Sequence, residues 1–120
     1  MKTETIVNLM NDPERLDIAI VAYARCANDY RTPRNVNGFN HMETIREIQG
    51  KVALLVKVKV QMVPALEALR ALDVGGLSIR LNDEYGAIRT GDNVWRLCEI
   101  CGDWIKHGSA EEIVLRAFRD

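Results

Sequence analysis

Residues 51–69 read KVALLVKVKVQMVPALEAL, and the fold turns on whether this stretch is helix or strand. Ile45, Ile48, Val52, Leu55, Met62, Leu66 and Leu69 follow the three-four spacing of one amphipathic helix, interrupted only by Lys59. Val56, Val58, Val60 and Met62 also alternate with Lys57, Lys59 and Gln61, the period of two of a half-buried strand. Pro64 is the arbiter. Inside one long helix a proline costs about 3 kcal/mol and kinks the rod, whereas at the first position of a new helix it costs little. The three-four spacing runs on both sides of Pro64, so the segment is read as helix with a break or kink there.

The reading extends outward in both directions. Asp12 before Pro13 is a helix start, because the aspartate oxygen caps free amides and proline suits the first helical position. A helix is expected from Pro13 to about Asp29, with IAIVAYA so apolar that most of its circumference needs cover from the domain or from a second chain. RTPRNVNGFNH, residues 31–41, breaks regular structure as a loop, and Asn40 with Glu43 has capping-box spacing for a helix beginning near His41. On the other side, Gly75 and Gly76 end the central element. LSIRL alternates as a strand, NDEYG turns and AIRT returns, which makes a hairpin over residues 77–90.

Asp92 can then cap a helix in which Val94, Leu97, Cys98, Cys101 and Ile105 share a face and Gly108 is the stop. Ser109 with Glu112 is a second capping box, opening a last helix that points Ile113, Val114, Ala117 and Phe118 inward. The expected fold is α+β: a mostly helical single domain over residues 1–120, with a small antiparallel β-hairpin and a long amphipathic central element. At 120 residues, 48% of them apolar, the chain suits one core. It contains no run of 18 apolar residues and no apolar leader at its start, so a cytoplasmic protein without a membrane segment is expected.

The net charge of -1 hides an asymmetry. Residues 31–66 carry Arg31, Arg34, Arg46, Lys51, Lys57 and Lys59 against only Glu43 and Glu47, a local +4. Residues 1–30 carry -2 and residues 67–120 carry -3. If the basic positions share a face, the middle third presents a positive field to an anionic partner.

Cys98 and Cys101 in RLCEICGDW have the spacing of a zinc half-site or a redox pair. A structural zinc site needs four ligands, and only Cys26, His41 and His107 remain to complete one. A redox pair belongs at a helix start after a strand, whereas these cysteines fall well inside an expected helix. Buried structural thiols are therefore expected, with no metal and no cofactor. His107 reads as a charge against a helix C-terminus, and His41 has no evident partner. Asp83, Glu84 and Asp92 read as turn formers and caps, and Gly75-Gly76 lacks the spacing of a phosphate loop. No catalytic residue is assigned and no enzyme is expected.

The remaining signal is arginine and asparagine in irregular segments. Arg31, Arg34, Asn35, Asn37 and Asn40 crowd one loop, and Arg80, Asn82, Tyr85, Arg89 and Asn93 decorate the hairpin and its exit. Arginine offers a planar fork of donors for phosphate or carboxylate, asparagine matches polar edges and tyrosine can stack. The expectation is a non-enzymatic protein that binds an anionic, nucleotide-like ligand through Arg31, Arg34, Asn37, Lys57, Lys59, Arg80, Asn82, Tyr85, Arg89 and Asn93. Two alternatives use the same charge asymmetry: a small inhibitor or adaptor of phage or mobile-element type docking on an acidic protein surface, and a weak nucleic-acid-binding helical domain. The apolar surplus on residues 13–29 and 45–69 points to a homodimer.

Overall fold

A computed structural model describes residues 1–31, 41–72 and 78–119. The described elements are helices α1 (Thr3–Met10), α2 (Pro13–Arg31) and α3 (His41–Lys57), a π-helical segment (Val58–Met62), helix α4 (Val63–Arg70), strands β1 (Ser78–Arg80), β2 (Tyr85–Gly91), β3 (Val94–Glu99) and β4 (Trp104–Gly108), and helix α5 (Ala110–Phe118). The fold class is α+β, mostly helical, with a small antiparallel sheet. The chain divides into two compact units, Met1–Val60 and Gln61–Asp120.

In Met1–Val60, helix α2 starts where the Asp12–Pro13 pair requires: Asp12 Oδ1 accepts from the Arg15 amide at 3.1 Å. Helices α2 and α3 pack as an antiparallel pair. Two contacts show their direction, Lys59 Nζ of the π segment to Asp17 Oδ1 at 2.7 Å and the Lys51 ammonium 5.6 Å over the Tyr23 ring. Helix α1 is an element not expected from the sequence. Ile6, Leu9 and Met10 are its buried residues, at the spacing of one helical face. Of the loop expected at residues 31–41, Arg31 and His41 belong to α2 and α3, and residues 32–40, with Asn40 as a cap, lie outside the described residues, as does the Gly75-Gly76 stop.

The central stretch is helical throughout, with α3, the π segment and α4 following one another without a gap. Burial explains why the strand pattern fails. Leu55, Val58 and Met62 are fully buried, whereas Val56 and Val60 stay 41% and 63% exposed. A strand would put Val56, Val58, Val60 and Met62 on one face. The π turn occupies the residues just before Pro64, whose ring would collide with the carbonyl four residues back in a regular helix and which donates no hydrogen bond.

In Gln61–Asp120 the sheet has the order β1-β2-β3-β4, antiparallel throughout. The hairpin expected at residues 77–90 is β1 and β2, which pair Ser78 with Ile88 and Arg80 with Gly86. The helix expected after Asp92 is instead a second hairpin, β3 and β4. Two turns decide this. Asn93 holds φ +50°, a left-handed conformation that asparagine tolerates, and brings β3 back along β2. Gly102 holds φ +116°, donates its amide to the Glu99 carbonyl at 2.9 Å and closes the β3–β4 turn. Period two then governs β3: Trp95 and Leu97 are buried and Arg96 between them is exposed. The chain ends on α5 as expected, with Ser109 Oγ accepting from the Glu112 amide and Ile113, Val114, Ala117 and Phe118 buried. Helix α5 packs against β3, β4 and α4.

Candidate functional site

Cross-strand register sorts the sheet residues onto two faces, because opposite partners point the same way. One face carries Ala87, Trp95 and Leu97, all buried, beneath α5. The other carries two rows that cross all four strands: Ser78, Ile88, Arg96 and His107 in one, Arg80, Gly86, Cys98 and Trp104 in the next. Trp104 is 61% exposed and Arg80 and Arg96 are exposed, so this second face is open.

Three features give the open face its chemistry. The Arg96 guanidinium lies over the Trp104 ring, 5.6 Å from its centroid, a cation–π contact. Arg96 has no ion pair with a carboxylate among the described residues. Gly86 leaves a gap in the next row. A Cβ there would come within 3.2 Å of the Ile79 carbonyl oxygen, so the backbone is close and no side chain fills the space. The result is a recess of about 320 Å³, lined in part by Ile79, Arg80, Gly86, Ile88, Cys98 and Ile100. Arg80 borders it, held by Nε donation to the Asn82 carbonyl at 3.1 Å and by an exposed Asp83 carboxylate 3.5 Å away.

Of the hairpin residues expected to bind, Arg80, Asn82, Tyr85, Arg89 and Asn93, Arg80 is the one that this face carries. Asn82 is a turn former: its Oδ1 accepts from the Glu84 and Tyr85 amides and its Nδ2 donates to the Ala117 carbonyl at 2.9 Å. Tyr85 is buried, with Arg116 5.8 Å from its ring. Arg89 points to the covered side, donating to the carbonyls of Leu72 at 2.6 Å and Gly91 at 3.1 Å. A smaller recess of about 180 Å³ beside Arg89 is therefore bordered by a guanidinium already engaged by backbone. Asn93 is the turn residue of β2–β3. Lys59 is paired with Asp17, and Lys57 sits half-buried in the last turn of α3. Arg31 ends α2, but its side chain, Arg34 and Asn37 lie outside the described residues.

The thiols also sit differently from expectation. Cys98 is half-buried on the open face and Cys101 is exposed in the β3–β4 turn, because the residues form a hairpin and not a helix with one inward face. Cys26 is half-buried. His107 belongs to β4, not to a helix end, with Nε2 3.3 Å from Thr90 Oγ1. No group of three His, Cys, Asp or Glu side chains gathers as metal ligands among the described residues. The apolar surplus of α2 leaves Ile18 and Val21 63% and 49% exposed. No helix among the described residues is long and apolar enough to cross a membrane.

Arg96 and Trp104 were hidden by the helical reading of the residues after Asp92, in which Arg96 had no neighbours across a sheet, and Gly86 was read as the end of the NDEYG turn. The alternation of Trp95, Arg96 and Leu97 after the Gly91-Asp92-Asn93 turn is the signal that points to them. The chain matches none of the protein families, curated proteins or solved structures with which it was compared.

Proposed function

We propose that the chain is a non-enzymatic binding protein that captures an anionic, nucleotide-like ligand on the open face of its sheet. The observation that carries the reading is the Arg96 guanidinium over an exposed Trp104 ring, on the same face as Arg80 and the Gly86 recess. A guanidinium fork suits a phosphate and an exposed indole offers its second face to a flat base. Recognition then belongs to Arg80, Arg96 and Trp104, with most of the hairpin's other polar residues committed to the fold. This reading is favoured over docking on an acidic protein because the exposed Trp104 indole suits a flat base, which an acidic protein surface does not offer.

A thermal-shift titration with nucleotides, cyclic dinucleotides and inorganic phosphate tests it. A ligand at ten times its Kd adds about 1.4 kcal/mol of stability, a rise of roughly 4–6 °C for a domain of this size. Saturable stabilisation that disappears in Arg96→Gln and Arg80→Ala is expected. Undiminished stabilisation in both variants moves the site elsewhere, and no shift with any probe at millimolar concentration removes the reading.

A further inference from the structure

We infer that the occupant of the open face is a short stretch of single-stranded nucleic acid laid across the strands, not a free nucleotide; this rests on the nucleotide reading above. The reason is the separation of the two groups that would recognise it. The recess is lined by residues of β1, β2 and β3 and the start of the following turn, with Arg80 among them, whereas Trp104 stands outside it on β4. Arg80 and Trp104 end the same row, three strand spacings apart, about 14 Å. Cys98 lines the recess and is the cross-strand partner of Trp104, so the recess and the indole adjoin along one row. An occupant that keeps a phosphate at Arg80 and a base on Trp104 follows that row across all four strands, the path of a chain of linked units.

The shape of the face favours the same answer. Sites for free small molecules enclose most of the ligand surface in roughly 300–1,000 Å³. This recess, at about 320 Å³, is at the bottom of that range and lies on an open sheet, so a lone nucleotide stays largely in water. A strand of nucleic acid gains affinity differently, by repeating a backbone contact and a stacking contact along its length. The two rows carry Arg80 and Arg96 and no carboxylate; Glu99 also lines the recess, and Asp83 pairs with Arg80 at 3.5 Å from an exposed position. Arginine forks beside an exposed indole favour bases and phosphates over an acidic peptide, which has carboxylates but no flat rings to stack.

With two arginines neutralising two phosphates, log Kd changes with log salt at a slope of about 1.4, so a tenfold rise in salt weakens binding roughly 25-fold. The test is fluorescence anisotropy of labelled U8 and dT8 with the full chain, competed by UMP, dTMP and an oligoglutamate peptide. The octamers are expected to compete at least tenfold better than the monophosphates. Trp104→Ala and Arg96→Gln should each weaken them roughly tenfold, and Trp104→Phe should retain most of the affinity, which separates a stacking role from a folding one. Equal affinity for UMP, dTMP and the octamers overturns this inference and leaves the nucleotide reading standing. Binding by none of the nucleotide probes overturns both. Octamer binding unchanged in both Trp104→Ala and Arg96→Gln, or oligoglutamate outcompeting the octamers, overturns the nucleic-acid assignment.

Discussion

The two tryptophans mark how differently the faces of one sheet are used: Trp95 is 2% exposed under α5, and Trp104, one strand away, is 61% exposed. The same strands supply both faces, since alternate residues point opposite ways. On the covered side Ala87, Trp95 and Leu97 join Ile113, Val114, Ala117 and Phe118 of α5 in burying apolar surface, which stabilises by about 25 cal/mol per Å² removed from water. On the open side the rows hold Arg80, Gly86, Arg96 and Trp104, none of which closes a core. Folding free energy is concentrated on one face, and the other is free to carry polar and aromatic groups.

Substitutions that respect or cross this division measure it. The largest effect belongs to Leu97→Ala, which empties a fully buried position and should cost about 3 kcal/mol in a urea melt, with octamer binding unaltered where the fold persists. A loss under 1 kcal/mol would mean that α5 does not seal this face.

An intermediate effect is expected for Arg89→Met. This arginine shares the covered side with Trp95 and bonds two backbone carbonyls, so its removal should cost about 1–2 kcal/mol while ligand affinity stays at the parental value. Loss of affinity without loss of stability would make Arg89 a recognition residue after all.

The smallest change in stability should come from the open face. An exposed cation–π pair contributes about 0.5–1 kcal/mol, so Trp104→Ser should shift the melt by no more than that, although it should impair binding. A shift of 3 kcal/mol would show that Trp104 is core, and the contrast between faces would fail.

Two segments explain how much was legible beforehand. Residues 56–62 alternate valine with lysine and are nevertheless helical, while residues 94–105 offer three-four spacing and are nevertheless sheet. In each, a short apolar pattern satisfied both periods, and the neighbours decided. Leu55 and Val58 are buried in one unit and Met62, Leu66 and Leu69 in the other, each at the three-four spacing that a helix sustains. Trp95 and Leu97 became strand residues because β2 lay within a tight turn of them, ready to pair. Arg80 could be placed on a strand because its hairpin was readable; Arg96 and Trp104 could not, because a wrong period hides every cross-strand neighbour.

By itself the sequence determined the local devices: the Asp12–Pro13 start of α2, the Ser109–Glu112 start of α5, and the Asn82 turn between β1 and β2. Each satisfies backbone groups with side chains two to four residues away, so no distant partner enters. The tertiary structure alone decided that residues 94–108 pair as strands, that α5 covers one face of the sheet, and that Arg96 and Trp104 meet on the other. Those outcomes depend on hydrogen bonds and buried area shared between separate elements, and a strand's two faces become unequal only when something packs against one of them.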